Sequence, residues 1–228
     1  MTAIYNGNKG EIMATNQVLK ERYEQLCATP SDIHEHLPVF VQAVKDTQAK
    51  KVIELGVRYG VSTIAWLHAL ENQGHLWSVD CSFPVPASEY KNPDWTPNYH
   101  PTPPGSLDGI NLLDHQGPLG VQEHWSFFLG YDIWPSILEA LPKKNVDIIF
   151  IDTNHVYEET LVELDLYYPR VRKGGRIFLH DTAIEITGNA TTPQPPFPVR
   201  TAMEEFCDKN DLKFENNPRC SGLGTIFV

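Results

Sequence analysis

The chain has 228 residues, of which 41% are hydrophobic and 11% aromatic, enough apolar side chain for one globular core or for one domain with an arm. Its formal net charge of −11 argues against a nucleic-acid backbone as the main partner, because phosphates are held by clustered Lys and Arg. Four scattered cysteines, Cys27, Cys81, Cys207 and Cys220, make no CxxC pair, which speaks against a zinc ribbon or a disulfide frame; with no signal-peptide pattern and no bilayer-length apolar run, the expected setting is the cytoplasm, away from membranes.

Residues 1 to 30 read as an N-terminal arm, polar to about residue 12 and then helical from about Ala14 to Ala28, with Val18, Leu19, Tyr23 and Leu26 at helical spacing. Thr29-Pro30 ends that run. Ser31 has the chemistry of an N-cap, with Asp32 in the first turn, and Ile33, Leu37, Phe40, Val41 and Val44 form a second apolar stripe that Pro38 would bend or split.

From Lys51 the pattern alternates strand and helix. Strands are expected at Val52–Leu55, His75–Val79, Trp125–Leu129, Val146–Ile151 and Arg176–Leu179, and helices at Ser62–Glu71, Ile133–Leu141, Tyr157–Tyr168 and Pro198–Lys209. Leu212–Glu215 and Gly224–Val228 can close the sheet as a hairpin. The alternation predicts an α/β fold with a mostly parallel, doubly wound sheet covered on both faces over residues 31–228. Two stretches break the rhythm: residues 82–122, rich in Pro and aromatics, and residues 182–197, rich in Thr and Pro. Long loops in open α/β sheets rise beside the carboxyl ends of the strands, so both read as walls of a ligand pocket, with Tyr90, Trp95 and Tyr99 as candidate stacking groups.

The chemistry concentrates at strand ends. The first strand ends at an acid, Glu54, followed by Gly56, Gly60 and Ser62 at the mouth of a helix. A glycine turn feeding a helix N-terminus lets backbone approach a ligand. The spacing is G-x-x-x-G, with Val57 where the dinucleotide fingerprint G-x-G-x-x-G has its second glycine, and the acid suits a cofactor with a cationic amino acid tail better than a pyrophosphate. S-adenosylmethionine has such a tail and a sulfonium. Asp80, about twenty residues on, is placed to accept hydrogen bonds from ribose hydroxyls. Asp132, after the third strand, could meet an adenine amino group or simply make a turn. Asp152, His180 and Asp181 end two strands expected to be neighbours, with His155 one turn onward. Carboxylates and imidazole at one rim could bind a divalent ion, and His155 could take a hydroxyl proton.

These residues resemble a known family. Glu54-Leu55-Gly56, Gly60, Ser62, Asp80, Asp152 to His155 and His180-Asp181 look like the class I S-adenosylmethionine-dependent methyltransferases, and are similar to the catechol-type and the metal-dependent sugar O-methyltransferases with their cephalosporin-hydroxylase-like relatives. The resemblance implies a Rossmann-like, seven-stranded sheet with a reversed C-terminal β-hairpin. It implies cofactor contacts at Glu54, Gly56, Gly60, Ser62 and Asp80, metal ligands at Asp152, His180 and Asp181, and a base at His155. The imidazole of His180 suits manganese, iron or zinc better than magnesium. The expected activity is methyl transfer to a hydroxyl of a small molecule by a chain that could form homo-oligomers. A nicotinamide-dependent oxidoreductase, a cofactor-binding module without catalysis and a metal hydrolase are the other readings of the same residues.

Overall fold

In the computed structural model, residues 9–58, 60–81, 124–185 and 193–228 are described, with side chains from residue 16 onward. The insertion expected at 82–122 and residues 186–192 lie outside them.

A seven-stranded sheet forms the middle layer, in the order β3-β2-β1-β4-β5-β7-β6. Its strands are β1 Lys51–Leu55, β2 His75–Asp80, β3 Trp125–Leu129, β4 Val146–Ile151, β5 Val171–His180, β6 Lys213–Asn217 and β7 Leu223–Phe227. The first five run parallel, and β7 pairs antiparallel with both β5 and β6. The central strands are near-continuous Val, Ile, Leu and Phe because both of their faces are covered; β4 is buried at every position.

One face carries α1 Lys9–Ala28, a 3₁₀ turn at His34–His36, α2 Leu37–Thr47 and α3 Val61–Leu70. Their core is aromatic: Phe40 stacks on Trp66 with ring centroids 4.4 Å apart and tilts against Phe150 and Phe178 of the sheet. The arm joins this layer, since Leu19 and Leu26 of α1 are buried in the same cluster. The other face carries α4 Pro135–Ala140, α5 Tyr157–Tyr167 and α6 Pro198–Asn210, packed through Leu164, Tyr167, Met203 and Phe206 onto Ile53, Leu55, Ile149 and Ile177.

Three local expectations change. The first helix begins at Lys9, five residues before the expected Ala14. Ser31 does not cap a long helix; α2 starts at Leu37, after the 3₁₀ turn, with Pro38 in its first turn, where a missing N–H costs nothing. The fifth strand starts at Val171, because Lys173-Gly174-Gly175 continue the strand through a register shift against β4.

The strand order reverses between β1 and β4. At such a switch point the connections leave in opposite directions and a crevice opens at the carboxyl ends of the strands.

Candidate active site

The crevice is a cavity of ≈ 550 Å³, a size suited to small-molecule ligands. It is lined by the ends of β1, β2, β3, β4 and β5, by the first turns of α5, and by Asp32 and Ser221 from flanking loops. Gly56, Asp80, Asp132, Asp152, His155 and Asp181 all line it. Glu54, Gly60, Ser62 and His180 do not.

The β1–α3 turn is built from within. Gly56 sits at φ +89°, and a Cβ there would meet the Asp152 carbonyl oxygen at 2.0 Å. The glycine therefore serves close passage of β1 past β4 as well as access for a ligand. Gly60 caps α3 in a left-handed conformation at φ +73°. Asp80 Oδ2 accepts hydrogen bonds from the backbone N–H groups of Val57 and Arg58, both at 2.9 Å, so the acid that ends β2 also holds the turn after β1 in shape. Arg58 is at φ +49° and pairs with Asp32 at 3.0 Å.

Glu54 is fully buried on the α3 face of the sheet and accepts hydrogen bonds from Ser62 at 2.7 Å, Thr63 at 2.8 Å and Ser78 at 2.6 Å. Burial pushes its carboxyl up to about 7 although three hydroxyls favour the charged form. Where the sequence suggested direct contact with a cationic tail, Glu54 and Ser62 instead form a buried polar knot joining β1, β2 and α3.

The rim opposite brings the other acids and imidazoles together. His155 Nε2 lies 3.2 Å from Asp152 Oδ1 and 2.8 Å from Asp181 Oδ2. His180 Nδ1 lies 3.3 Å from each of the same two carboxylates, and its Nε2 lies 3.1 Å from the Asp32 carbonyl oxygen. Burial would lower the His155 ring, but hydrogen bonds to Asp152 and Asp181 overcome it and push the ring up to about 10. Burial likewise opposes charge on His180, and Asp152 outweighs it, so that ring is also raised. Burial would raise both acids; His180 and His155 hold Asp152 and Asp181 below the usual carboxylate range. His155 and Asp181 have φ values of +59° and +58°. Left-handed backbone at non-glycine residues costs about 1–2 kcal/mol each, and this network opposes its relaxation.

Asp152, His155 and Asp181 each offer a ligand atom, and these atoms lie within 4.8 Å of one another. Two carboxylates and an imidazole fit a divalent ion, and suit manganese, iron or zinc better than magnesium. His180, expected among the ligands, is 2% exposed and stands behind the acids, tied to the Asp32 carbonyl. His155, expected as a base only, takes its place in the group.

Sequence reasoning passed over Glu159 and Glu163, which also line the cavity. Their i, i+4 spacing on α5, with Val162 beside them, puts them on one helix face and was the available signal. Glu163 Oε1 accepts a hydrogen bond from Thr153 at 2.7 Å, and Asn154 donates to Glu159.

Comparison with known proteins agrees with this architecture. A family model described as a methyltransferase domain matches residues 53–182. Among curated proteins, an uncharacterized protein, R132, of Acanthamoeba polyphaga mimivirus is 44% identical over 45 residues, a stretch that spans 20% of this chain and 20% of that protein. Among solved structures, cofactor-bound Rv0187 from MTB is 15% identical with a TM-score of 0.60, covering 99% of this chain and 93% of that one. The O-methyltransferase TomG from Streptomyces achromogenes, involved in tomaymycin synthesis and solved with SAM, is 15% identical with a TM-score of 0.56, covering 99% and 92%. At these identities the solved structures establish a shared fold, and the family match establishes the kinship: this chain belongs to the methyltransferase-domain family.

Proposed function

We propose that this chain moves the methyl group of S-adenosylmethionine to a hydroxyl oxygen of a small molecule. The observation that carries the reading is the Asp152–His155–Asp181 cluster, which opens onto the same cavity as the Gly56 turn and Asp80. A donor subsite and a proton-handling group thus share one wall. Membership of the methyltransferase-domain family and the likeness to an O-methyltransferase solved with SAM support it.

The ends of β1, β2 and β3 would hold the donor: Asp80 would receive its ribose hydroxyls, Asp132 would face its adenine, and Gly56 would give its methionine portion room beside β4, all three residues lining the cavity. Glu54, Gly60 and Ser62 act on it indirectly, by fixing the turn that Gly56 belongs to. The reaction is an in-line displacement: a bond forms between the acceptor oxygen and the methyl carbon, the carbon–sulfur bond breaks, and its electron pair returns to sulfur. Most of the catalysis is collinear positioning. The acceptor's proton leaves to His155, whose basicity Asp152 and Asp181 raise; only the neutral fraction of the ring can accept it. With a divalent ion bound, His155 would instead serve as one of its ligands beside Asp152 and Asp181, and the ion would lower the pKa of an acceptor hydroxyl. The free thiols Cys27, Cys81, Cys207 and Cys220 suit a reducing cytoplasm. Among the described residues no helix is long and apolar enough to cross a membrane.

The test is incubation with methyl-labelled S-adenosylmethionine and a panel of hydroxylated small molecules, with and without manganese. Label in a methyl ether is the expected result. Donor binding without transfer to any acceptor would leave a binding module in its place.

A further inference from the structure

A second group of metal-ligating side chains lies outside the crevice. His34 and Glu35 of the 3₁₀ turn and Cys220 of the β6–β7 turn each offer one ligand atom, and these atoms lie within 4.8 Å of one another. His34 and Cys220 are half-buried and Glu35 is exposed, which leaves an ion a path from solvent. His34 and Cys220 stand 186 positions apart in the chain. No CxxC spacing announces such a group, because the fold assembles it.

The distances suit a small, borderline divalent ion. Tetrahedral zinc, with Zn–S of about 2.3 Å and Zn–N of about 2.0 Å, sets its sulfur and nitrogen ligands about 3.5 Å apart. Cys220 Sγ lies 3.5 Å from His34 Nδ1. The Glu35 carboxylate supplies a third ligand, and water can complete the set. Glu35 now pairs with Arg219 at 3.6 Å, a side chain 75% exposed and free to swing away. His34 Nδ1 also lies 2.8 Å from the Ser31 carbonyl oxygen and 3.1 Å from the Ser31 backbone nitrogen. An ion displaces these contacts and sends the thiol proton, with any proton on Nδ1, to solvent.

The two turns are held together from behind. Buried His36 donates from Nε2 to the carbonyl oxygens of Arg219 at 2.9 Å and Cys220 at 3.3 Å. Such outer contacts fix the ligands of a metal site in place. The sulfur also separates this group from the Asp152–His155–Asp181 rim. Thiolate favours zinc, whereas magnesium and manganese prefer oxygen.

We propose that His34, Glu35 and Cys220 bind one zinc-class ion that staples the 3₁₀ turn to the β6–β7 turn. The loops so joined bring Asp32 and Ser221 to the cavity wall, and the ion steadies that wall without taking part in methyl transfer. The proposal stands apart from the donor assignment.

The test is titration of the full chain with cobalt(II), a spectroscopic substitute for zinc, under a non-thiol reductant and with excess manganese to fill the rim. A cobalt–thiolate bond gives a charge-transfer band in the near ultraviolet. The wild type should gain this band at one-to-one stoichiometry and lose it when zinc is added. Cys220→Ser should abolish it, and His34→Gln should weaken cobalt binding at least about tenfold. Cys81→Ser, which removes an exposed thiol at the crevice, should leave the band intact. No band on the wild type, or a band that survives Cys220→Ser, would overturn the proposal and leave a plain thiol–imidazole contact. Should Cys220→Ser fold poorly, cobalt affinity in Glu35→Gln and His34→Gln decides: loss in both supports the site, and unchanged binding overturns it.

Discussion

Gly56→Ala is the sharpest perturbation the fold offers. An added Cβ would lie 2.0 Å from the Asp152 carbonyl oxygen and 2.7 Å from its carbon, both backbone atoms that cannot swing aside. Relief requires β1 and β4 to part at their carboxyl ends, an overpacking cost of about 1–3 kcal/mol. The backbone at φ +89° adds about 1–2 kcal/mol for a residue with a Cβ. Together these come to about 2–5 kcal/mol, or a fall in Tm of about 4–20 °C for a chain of this size. Because the atoms that must move belong to Asp152, the rim moves with them, and affinity for S-adenosylhomocysteine should fall in parallel. Gly174→Ala is the control. That glycine is also left-handed, at φ +78°, but its nearest neighbour is the Arg172 guanidinium at 3.3 Å, which can give way. It should lose about 1–2 kcal/mol and keep its ligand affinity. Differential scanning calorimetry and ligand titration on both variants decide the matter. A Gly56→Ala protein that melts and binds like the wild type would refute the reasoning.

Three further outcomes follow from the same geometry. Asp80→Ala removes the acceptor for the Val57 and Arg58 N–H groups as well as the expected ribose contact; S-adenosylhomocysteine affinity should drop about 100-fold by calorimetry, and an unchanged value would remove Asp80 from the site. Glu54 has a folded-state pKa raised from 4.5 to about 7, so its protonated form favours the fold below about pH 4.5 and that advantage is lost as pH rises through about 7. The loss is about 3 kcal/mol, and Glu54→Gln should flatten the Tm profile between pH 5 and 8 relative to wild type; parallel profiles would argue against a buried carboxyl there. His155 titrates near 10, so without added metal the rate should climb about tenfold per pH unit below that value, and His155→Gln should be slow and flat; a wild-type rate already level at pH 7 would exclude His155 as the proton acceptor.

The fold was legible because the pattern of buried strands is strong. β3 and β4 fall on the expected residues, Trp125–Leu129 and Val146–Ile151, since each is a short apolar run bounded by polar residues or glycine. The site was legible as a set of strand ends, and β4 beside β5 does bring Asp152 and Asp181 together. What sequence could not give was the direction of each side chain. In β1, alternation sends Glu54 toward α3, where Ser62, Thr63 and Ser78 wait, while Gly56, past the strand end at φ +89°, lines the cavity. The same limit hid the surroundings of the two imidazoles: His180 is buried between the two acids and the Asp32 carbonyl, whereas His155 lines the cavity. Glu163 was hidden for another reason, since an acid on an amphipathic helix reads as solvent-facing until the tertiary fold covers it.

The most direct test of the account is a crystal structure with S-adenosylhomocysteine bound. The ligand should occupy the carboxyl ends of β1 to β4, with its ribose on Asp80, its adenine toward Asp132 and its sulfur facing the Asp152–His155–Asp181 cluster. A ligand seated elsewhere on the chain, with this cavity holding only solvent, would contradict it.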